Sequence, residues 1–267
     1  MSHRRKGNDI HGVLLLDKPV GFSSNQAVQK VRWLFQARKA GHTGSLDPFA
    51  TGMLPVCFGE ASKTAGLMLD ADKTYLATAR MGQATSTGDT EGDVTAEMHV
   101  PALTTSDIEA VLDQFRGEIE QVPPMYSALK HKGERLYKLA REGKEVERKS
   151  RRVTIHQLEL IEWNTPLLTF RAVCSKGTYI RTLAEDIAHA LGSCAYLESL
   201  RRLQVGQFAE QDMVGLDAVE QSVEDNSQLD LLLPVDSGLL NWPVVELDLE
   251  SSKRFRHGNP ALVSGEP

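Results

Sequence analysis

The first candidate for chemistry in this chain is a carboxylate held in a loop with little freedom. The stretch Gly41-His42-Thr43-Gly44-Ser45-Leu46-Asp47-Pro48-Phe49-Ala50-Thr51-Gly52 sets Asp47 among three glycines and directly before a proline. The proline ring disfavours the helical region for the residue before it, so Asp47 is expected in extended geometry. The glycines meanwhile permit tight turns or close approach of a ligand to the backbone. That is how a carboxylate is aimed into a cleft. An Asp-Pro pair among glycines is also the composition of a plain turn, and the rest of the chain has to decide between the two.

Arg181 falls in the first turn of a helix that Thr178 can cap, where the positive end of the helix dipole disfavours a cation. Its partner then lies elsewhere. A carboxylate such as Asp47 would be oriented and kept ionised by a bidentate guanidinium; an RNA phosphate or solvent would serve as well. Tyr75 and Tyr179 are either half-buried core rings or, beside a flipped base, stacking surface with a phenolic proton. Taken alone, His42 reads as a turn hydrogen-bonding residue and Lys18 as a strand-end charge. Neither the Asp47 loop nor Ser175-Lys176-Gly177 carries the glycine pattern of a phosphate-binding or dinucleotide-binding loop. No second Asp stands two positions after Asp47, and no activating base or metal cluster is visible, so an aspartate-dependent hydrolase is poorly supported.

The elements that must hold these residues are legible from apolar spacing. Gly12 to Lys18, ended by Pro19, reads as a buried strand. Ser23 or Ser24 caps a helix with a stripe at Ala27, Val28, Val31, Leu34 and Phe35. Tyr75 to Met81 alternates as a strand with Tyr75 on the face of Ala77 and Ala79, small neighbours expected to leave the ring exposed in a shallow groove. A helix is expected from Ser106 to Phe115, and a short basic helix from Glu134 to Arg141, ended by Gly143. Two strands span Val153 to Trp163 and Leu168 to Cys174. The helix after Thr178 carries Ile180, Leu183, Ala184, Ile187 and Leu191, and a last strand runs from Leu197 to Val205. Strands mostly neighbour strands, which favours an α+β fold with a mixed sheet over a doubly wound one.

Bulk properties restrict the partners. The 267 residues suffice for one large domain with a small companion, at 41% hydrophobic and 25% charged composition. No apolar run approaches a membrane span and the N-terminus lacks a secretory signal, so a cytoplasmic protein with no membrane contact is expected. Cys57, Cys174 and Cys194 form no C-x-x-C spacing, and the eight histidines include no ligand-like pair, so no metal is expected. The net charge of −6 averages two unlike regions. Leu203 to Glu250 holds eleven acidic residues and no Lys or Arg, leaving +5 for everything else. Lys130 to Arg152 holds ten basic residues against four Glu. Such asymmetry is the pattern of a basic footprint for a polyanion, although a solvated helix of mixed charge has the same composition.

Four segments in order now carry a resemblance. Gly12 to Pro19, Gly41 to Pro48, Asp72-Lys73-Thr74-Tyr75, and Cys174-Ser175-Lys176-Gly177-Thr178-Tyr179-Ile180-Arg181 resemble the successive motifs of the bacterial TruB family of tRNA pseudouridine-55 synthases. The match runs from about residue 10 to 205 and resumes at 244 to 265, with the acidic stretch between matching weakly. The resemblance implies a mixed, largely antiparallel central sheet flanked by helices over residues 1–242, with a basic RNA-clamping insertion at about 124–152. It further implies the start of a small PUA-like β domain, truncated, at 243–267.

Within that family Asp47 would be the catalytic aspartate, Tyr75 would stack on the target uracil, and Arg181 would pair with Asp47. His42, Tyr179 and Leu200 would shape the pocket and replace the flipped base. Lys18 belongs to the first motif, whose expected role is more structural, and is counted in the substrate-binding set. The implied substrate is a uridine in the T loop of tRNA, contacted through the T arm by a monomer. Breaking N1 to C1′, turning the uracil and joining C5 to C1′ involves no redox change and no energy input, so no cofactor is required. Ionised Asp47 could attack C6, attack C1′, or take a proton from C2′. The alternative is a non-catalytic RNA-binding or RNA-folding protein on the same scaffold, which would have no use for Asp47 with Arg181 and Tyr75.

Overall fold

Strand β1 (Gly12–Lys18) is a near-continuous apolar run because both of its faces are covered. In the computed structural model, which describes residues 7–239 and 242–260, Leu14 and Leu16 point to one core cluster, and Val13 and Leu15 to another. Met1 to Lys6, Leu240, Asn241 and Ala261 to Pro267 lie outside the described residues. Helix α1 (Ser24–Leu34) follows, capped by Ser23 with a full capping box to Gln26, and its expected apolar stripe is buried. Then come β2 (Ala40–His42), β3 (Thr51–Phe58), α2 (Ala65–Asp70), β4 (Lys73–Met81), and the outlying pair β5 (Gln83–Thr85) and β6 (Val94–Glu97).

The second half continues with α3 (Thr105–Leu112), β7 (Gly117–Gln121), the two-residue strands β8 (Lys130–His131) and β9 (Glu134–Arg135), and α4 (Leu136–Arg141). After these run β10 (Arg151–Asn164), β11 (Leu167–Cys174), α5 (Ile180–Ala190), β12 (Ala195–Val205), β13 (Val214–Gly215), α6 (Leu216–Glu224) and α7 (Leu249–Arg256). Nine strands form one sheet in the order β13-β1-β3-β12-β4-β11-β10-β7, with β2 on a free end of β3. Among the described residues only the β13–β1 and β12–β3 strand pairs are parallel. The expected α+β class with a mixed, largely antiparallel sheet is what the chain adopts.

The central crossing of β3, β12 and β4 positions the site. Gly52 on β3 lies opposite Arg202 on β12, with φ of +96°, and a side chain there would come within 2.2 Å of the Arg202 carbonyl. Only glycine lets the two strands approach so closely just after the Asp47 loop. Across β4, α3 and α5 bury Ile108, Leu112, Leu183 and Ile187 on the larger core.

Several expectations need correction. The basic helix begins at Leu136, because Glu134 and Arg135 pair back on Lys130 and His131 as a small hairpin. Thr178 does not cap α5; its hydroxyl donates to Ser175 O at 2.9 Å, and the Gln121 side chain accepts the Tyr179 N–H at 3.0 Å instead. The acidic stretch folds back on the sheet edge, where β13 adds to β1 and Val219 of α6 packs under α1, with Lys30 and Glu220 paired at 2.7 Å. Residues 243–260 carry helix α7, capped by Asp248, none of whose residues is buried.

Candidate active site

Asp47 lies in the loop between β2 and β3, and that loop is fixed from below. The Ser24 hydroxyl donates to Leu46 O at 3.0 Å and accepts from Leu46 N at 2.7 Å, tying the loop to the start of α1. Lys18 is fully buried, and its three ammonium protons go to the carbonyls of Pro19, Phe22 and Pro48 at 2.9, 2.7 and 3.3 Å. Lys18 therefore anchors the loop and has no donor left for a substrate, a correction to its place in the substrate-binding set. Burial brings its pKa down to about 8, with nearby Asp47 working against the fall. Leu46 and Phe49 bury themselves on either side of Asp47, so the carboxylate between them has to face the opening.

Arg181 reaches that carboxylate from α5. It is 4% exposed, its Nη2 lies 3.0 Å from Asp47 Oδ2, and its Nη1 lies 3.4 Å from Asp89 Oδ2. The same two nitrogens donate to Tyr126 O at 2.7 Å and Thr87 O at 2.6 Å. These four acceptors compensate a cation placed against its own helix dipole. Asp89 is 2% exposed, held by the Thr87 hydroxyl and the Glu91 N–H, whereas the Asp47 side chain is 39% exposed. One carboxylate thus serves the framework and the other faces the cleft. The surrounding atoms push the Asp47 carboxyl above its ordinary range; Arg181 pulls it back, Asp89 adds to the rise, and Lys18 opposes it.

Two clefts meet at the Asp47–Arg181 pair. One, of about 310 Å³, is walled by Tyr75, Tyr179, Leu200, Leu69, Lys73 and Arg202. The other, of about 770 Å³, runs from His42 and the start of α1 to Arg135, Tyr137 and Arg141 of the insertion. Tyr75 is only 9% exposed, so the expected ring in a shallow groove is corrected to one embedded in the core with an edge on the smaller cleft. Ala77 and Ala79 do leave space, but Leu46 and Phe49 of the loop pack into the same cluster. Burial raises the Tyr75 and Tyr179 phenols and lowers His42, whose Nδ1 is buried without a partner among the described residues.

The structure therefore brings Asp47, Arg181, Tyr75, Tyr179 and Leu200 to one cleft and leaves His42 on the adjoining one. Sequence reading missed Asp89, Tyr126, Gln121 and Arg202. Arg202 had a partial signal: strand alternation puts it on the face of Leu200, an unusual place for a charge, and a bulge between Leu197 and Ser199 brings Leu197 to that face only in the fold. Asp89 had none beyond a Gly-Asp turn.

The sequence matches two family models. The model described as TruB family pseudouridylate synthase (N terminal domain) covers residues 32–180, and that described as tRNA pseudouridylate synthase B C-terminal domain covers 181–240. The chain belongs to the TruB family of pseudouridylate synthases. It is an enzyme of the isomerase kind. It is 55% identical over 263 residues to the tRNA pseudouridine synthase B of Chromohalobacter salexigens, covering 98% of this chain and 85% of that one. To the protein of the same name from Pseudomonas aeruginosa it is 51% identical over 267 residues, covering 99% and 88%. Among solved structures, a chain of a Cbf5-Nop10-Gar1 complex superposes with a TM-score of 0.73 at 28% identity, covering 94% of this chain and 68% of that one. The boundary between the two TruB matches falls at the start of α5, so Asp47 and Arg181 come from different matched segments of one continuous sheet. Among the described residues no helix is long and apolar enough to cross a membrane.

Proposed function

We propose that this TruB-family chain isomerises the uridine at position 55 of the tRNA T loop to pseudouridine, with Asp47 as the catalytic carboxylate. The observation that carries the reading is the Asp47–Arg181 pair at 3.0 Å, whose arginine is buried while its aspartate opens on a cleft walled by Tyr75, Tyr179 and Leu200. The relatives named tRNA pseudouridine synthase B supply the substrate class. A base in a folded loop is flipped out at a cost of a few kcal/mol, offset by contact with aromatic and apolar walls. Tyr75 supplies the ring edge and a phenol, Leu200 and Tyr179 close the sides, and His42 faces the neighbouring nucleotides in the larger cleft.

Arg181 orients Asp47 and favours its ionised form, which is the form required whether it attacks C6, attacks C1′ or removes the C2′ proton. The insertion at about 124–152 is the phosphate-facing part. Among the described residues seven of its ten cations form no ion pair; Lys144, Arg148 and Arg152 pair with Glu142, Glu145 and Glu118. The reading includes a cytoplasmic monomer that grips the T arm, needs no metal, and ends its catalytic domain at about residue 242, with 243–267 belonging to a PUA-like unit. The test is to incubate the protein with unmodified tRNA in chelator, without nucleotide, and to map pseudouridine. Modification at position 55 is expected; its absence, or modification only at other positions, would overturn the reading.

A further inference from the structure

Among the described residues Arg202 is the largest fully buried side chain, at 1% exposure. Unlike Arg181, it forms no ion pair with any described carboxylate. A guanidinium withdrawn from water is ordinarily matched by an anion, and an unmatched one is costly. Its visible compensation is neutral: Nε donates to Met53 O at 2.7 Å and Nη2 to Gly44 O at 3.2 Å. Its charge is also felt by Lys18, His42 and Lys73, each of which it disfavours in the protonated form. The charge is therefore unneutralised in the resting protein, and it stands in the wall of the smaller cleft.

Two connections give this placement a purpose. Gly44 belongs to the Asp47 loop, and Met53 lies near the start of the strand that follows it, so the guanidinium clamps both ends of the segment that carries Asp47. Arg202 also lies directly opposite Tyr75 in the β12–β4 register and lines the same cleft, where its charge draws the phenol back from the rise that burial imposes. We propose that Arg202 is a positioning residue for the isomerisation, fixing the Tyr75 hydroxyl against the base and locking that ring to the Asp47 loop. Its cation remains available to negative charge that develops on the uracil or on the phenol oxygen during the reaction. This rests on the assignment of Tyr75 to the reaction.

The test is a double-mutant cycle on the single-turnover rate at saturating unmodified tRNA, with Arg202→Lys, Tyr75→Phe and the double variant, and with tRNA affinity measured in parallel. Arg202→Lys should slow the step by about tenfold, the equivalent of one charge-assisted hydrogen bond, with affinity within about twofold of wild type. The double variant should be no slower than Tyr75→Phe alone. Losses that multiply would overturn the coupling, and a change in affinity with no change in rate would do the same. A Tyr75→Phe rate equal to wild type would instead sink the assignment of Tyr75 on which the inference stands. If Arg202→Lys does not fold by thermal unfolding, Arg202→Gln takes its place in the cycle; failure of both to fold would mark Arg202 as purely structural and overturn the proposal.

Discussion

At the Asp47 cleft, Asp47, Asp89 and Arg181 answer one another, while on the insertion most cations stand in solvent without a carboxylate. The first arrangement is short-ranged, desolvated and little affected by salt; the second acts over a Debye length and is screened by it. A protein that must flip and rearrange one base while holding a large polyanion needs both kinds. Chemistry and the salt-dependent, phosphate-borne affinity are therefore carried by separate parts of the chain, and substitutions in one part should leave that contribution of the other intact.

The largest effect is expected from Arg181→Met. It leaves Asp89 buried without its cation, and breaking a buried pair by removing one partner costs about 3–5 kcal/mol of stability. Chemical denaturation should show that loss, and the surviving folded fraction should turn over at least about a hundredfold more slowly, because Asp47 has lost the group that orients it. A variant as stable as wild type would show that the framework does not depend on this arginine.

Replacing Tyr75 comes next. Tyr75→Leu should lower the single-turnover rate and the affinity for the flipped base by about 1–3 kcal/mol together, the scale of one base–aromatic contact, while Tyr75→Phe keeps binding and loses mainly rate. Binding assays with unmodified tRNA would check this, and equal affinity losses for the two variants would remove stacking from the role of Tyr75.

The insertion should behave oppositely. Arg148 is already engaged by Pro123 O and Glu145, so the informative set is Lys130, Lys132, Lys138 and Lys149, which are exposed and form no ion pair among the described residues. Changing these four to Gln should flatten the slope of log affinity against log salt by about 0.7–0.9 for each phosphate that is no longer neutralised. The rate at saturating tRNA should stay within about twofold of wild type. An unchanged slope with a slower chemical step would move the insertion into the active site.

The smallest effect concerns pH. Catalysis requires ionised Asp47, and its carboxyl is raised by burial, so kcat/KM should fall tenfold per unit as pH drops below a knee lying above 3.8, the ordinary value. Four-Gln variants should keep that knee, since their charges are remote and screened. A knee at or below the ordinary carboxylate value would mean that Arg181 outweighs burial.

Much of this was readable in the chain because the local rules and the fold agree there. The Asp47 loop, the stripe of α1 and the strand of Tyr75 follow from glycine, proline and apolar spacing, and Arg181 betrayed a distant partner by sitting against its helix dipole. What was not readable depends on contacts far apart in sequence. Asp89 looks like a turn residue until Arg181 arrives from 92 positions away, and Tyr75 reads as exposed until Leu46 and Phe49 fold over it. The expected cap at Thr178 failed because its hydroxyl donates back to Ser175 O and the helix is capped one residue later at Tyr179, whose N–H goes to Gln121, 58 residues earlier. Local propensity has no access to such competition.

The separation of chemistry from affinity is tested most directly by one side-by-side measurement. Asp47→Asn and the four-Gln insertion variant are compared with wild type for single-turnover pseudouridine formation at saturating unmodified tRNA and for tRNA affinity across a salt series. Asp47→Asn should abolish turnover while keeping the wild-type affinity and salt slope, and the four-Gln variant should lose affinity and slope while keeping the rate. Turnover by Asp47→Asn within tenfold of wild type, or a rate loss in the four-Gln variant comparable to its loss of affinity, would contradict the account.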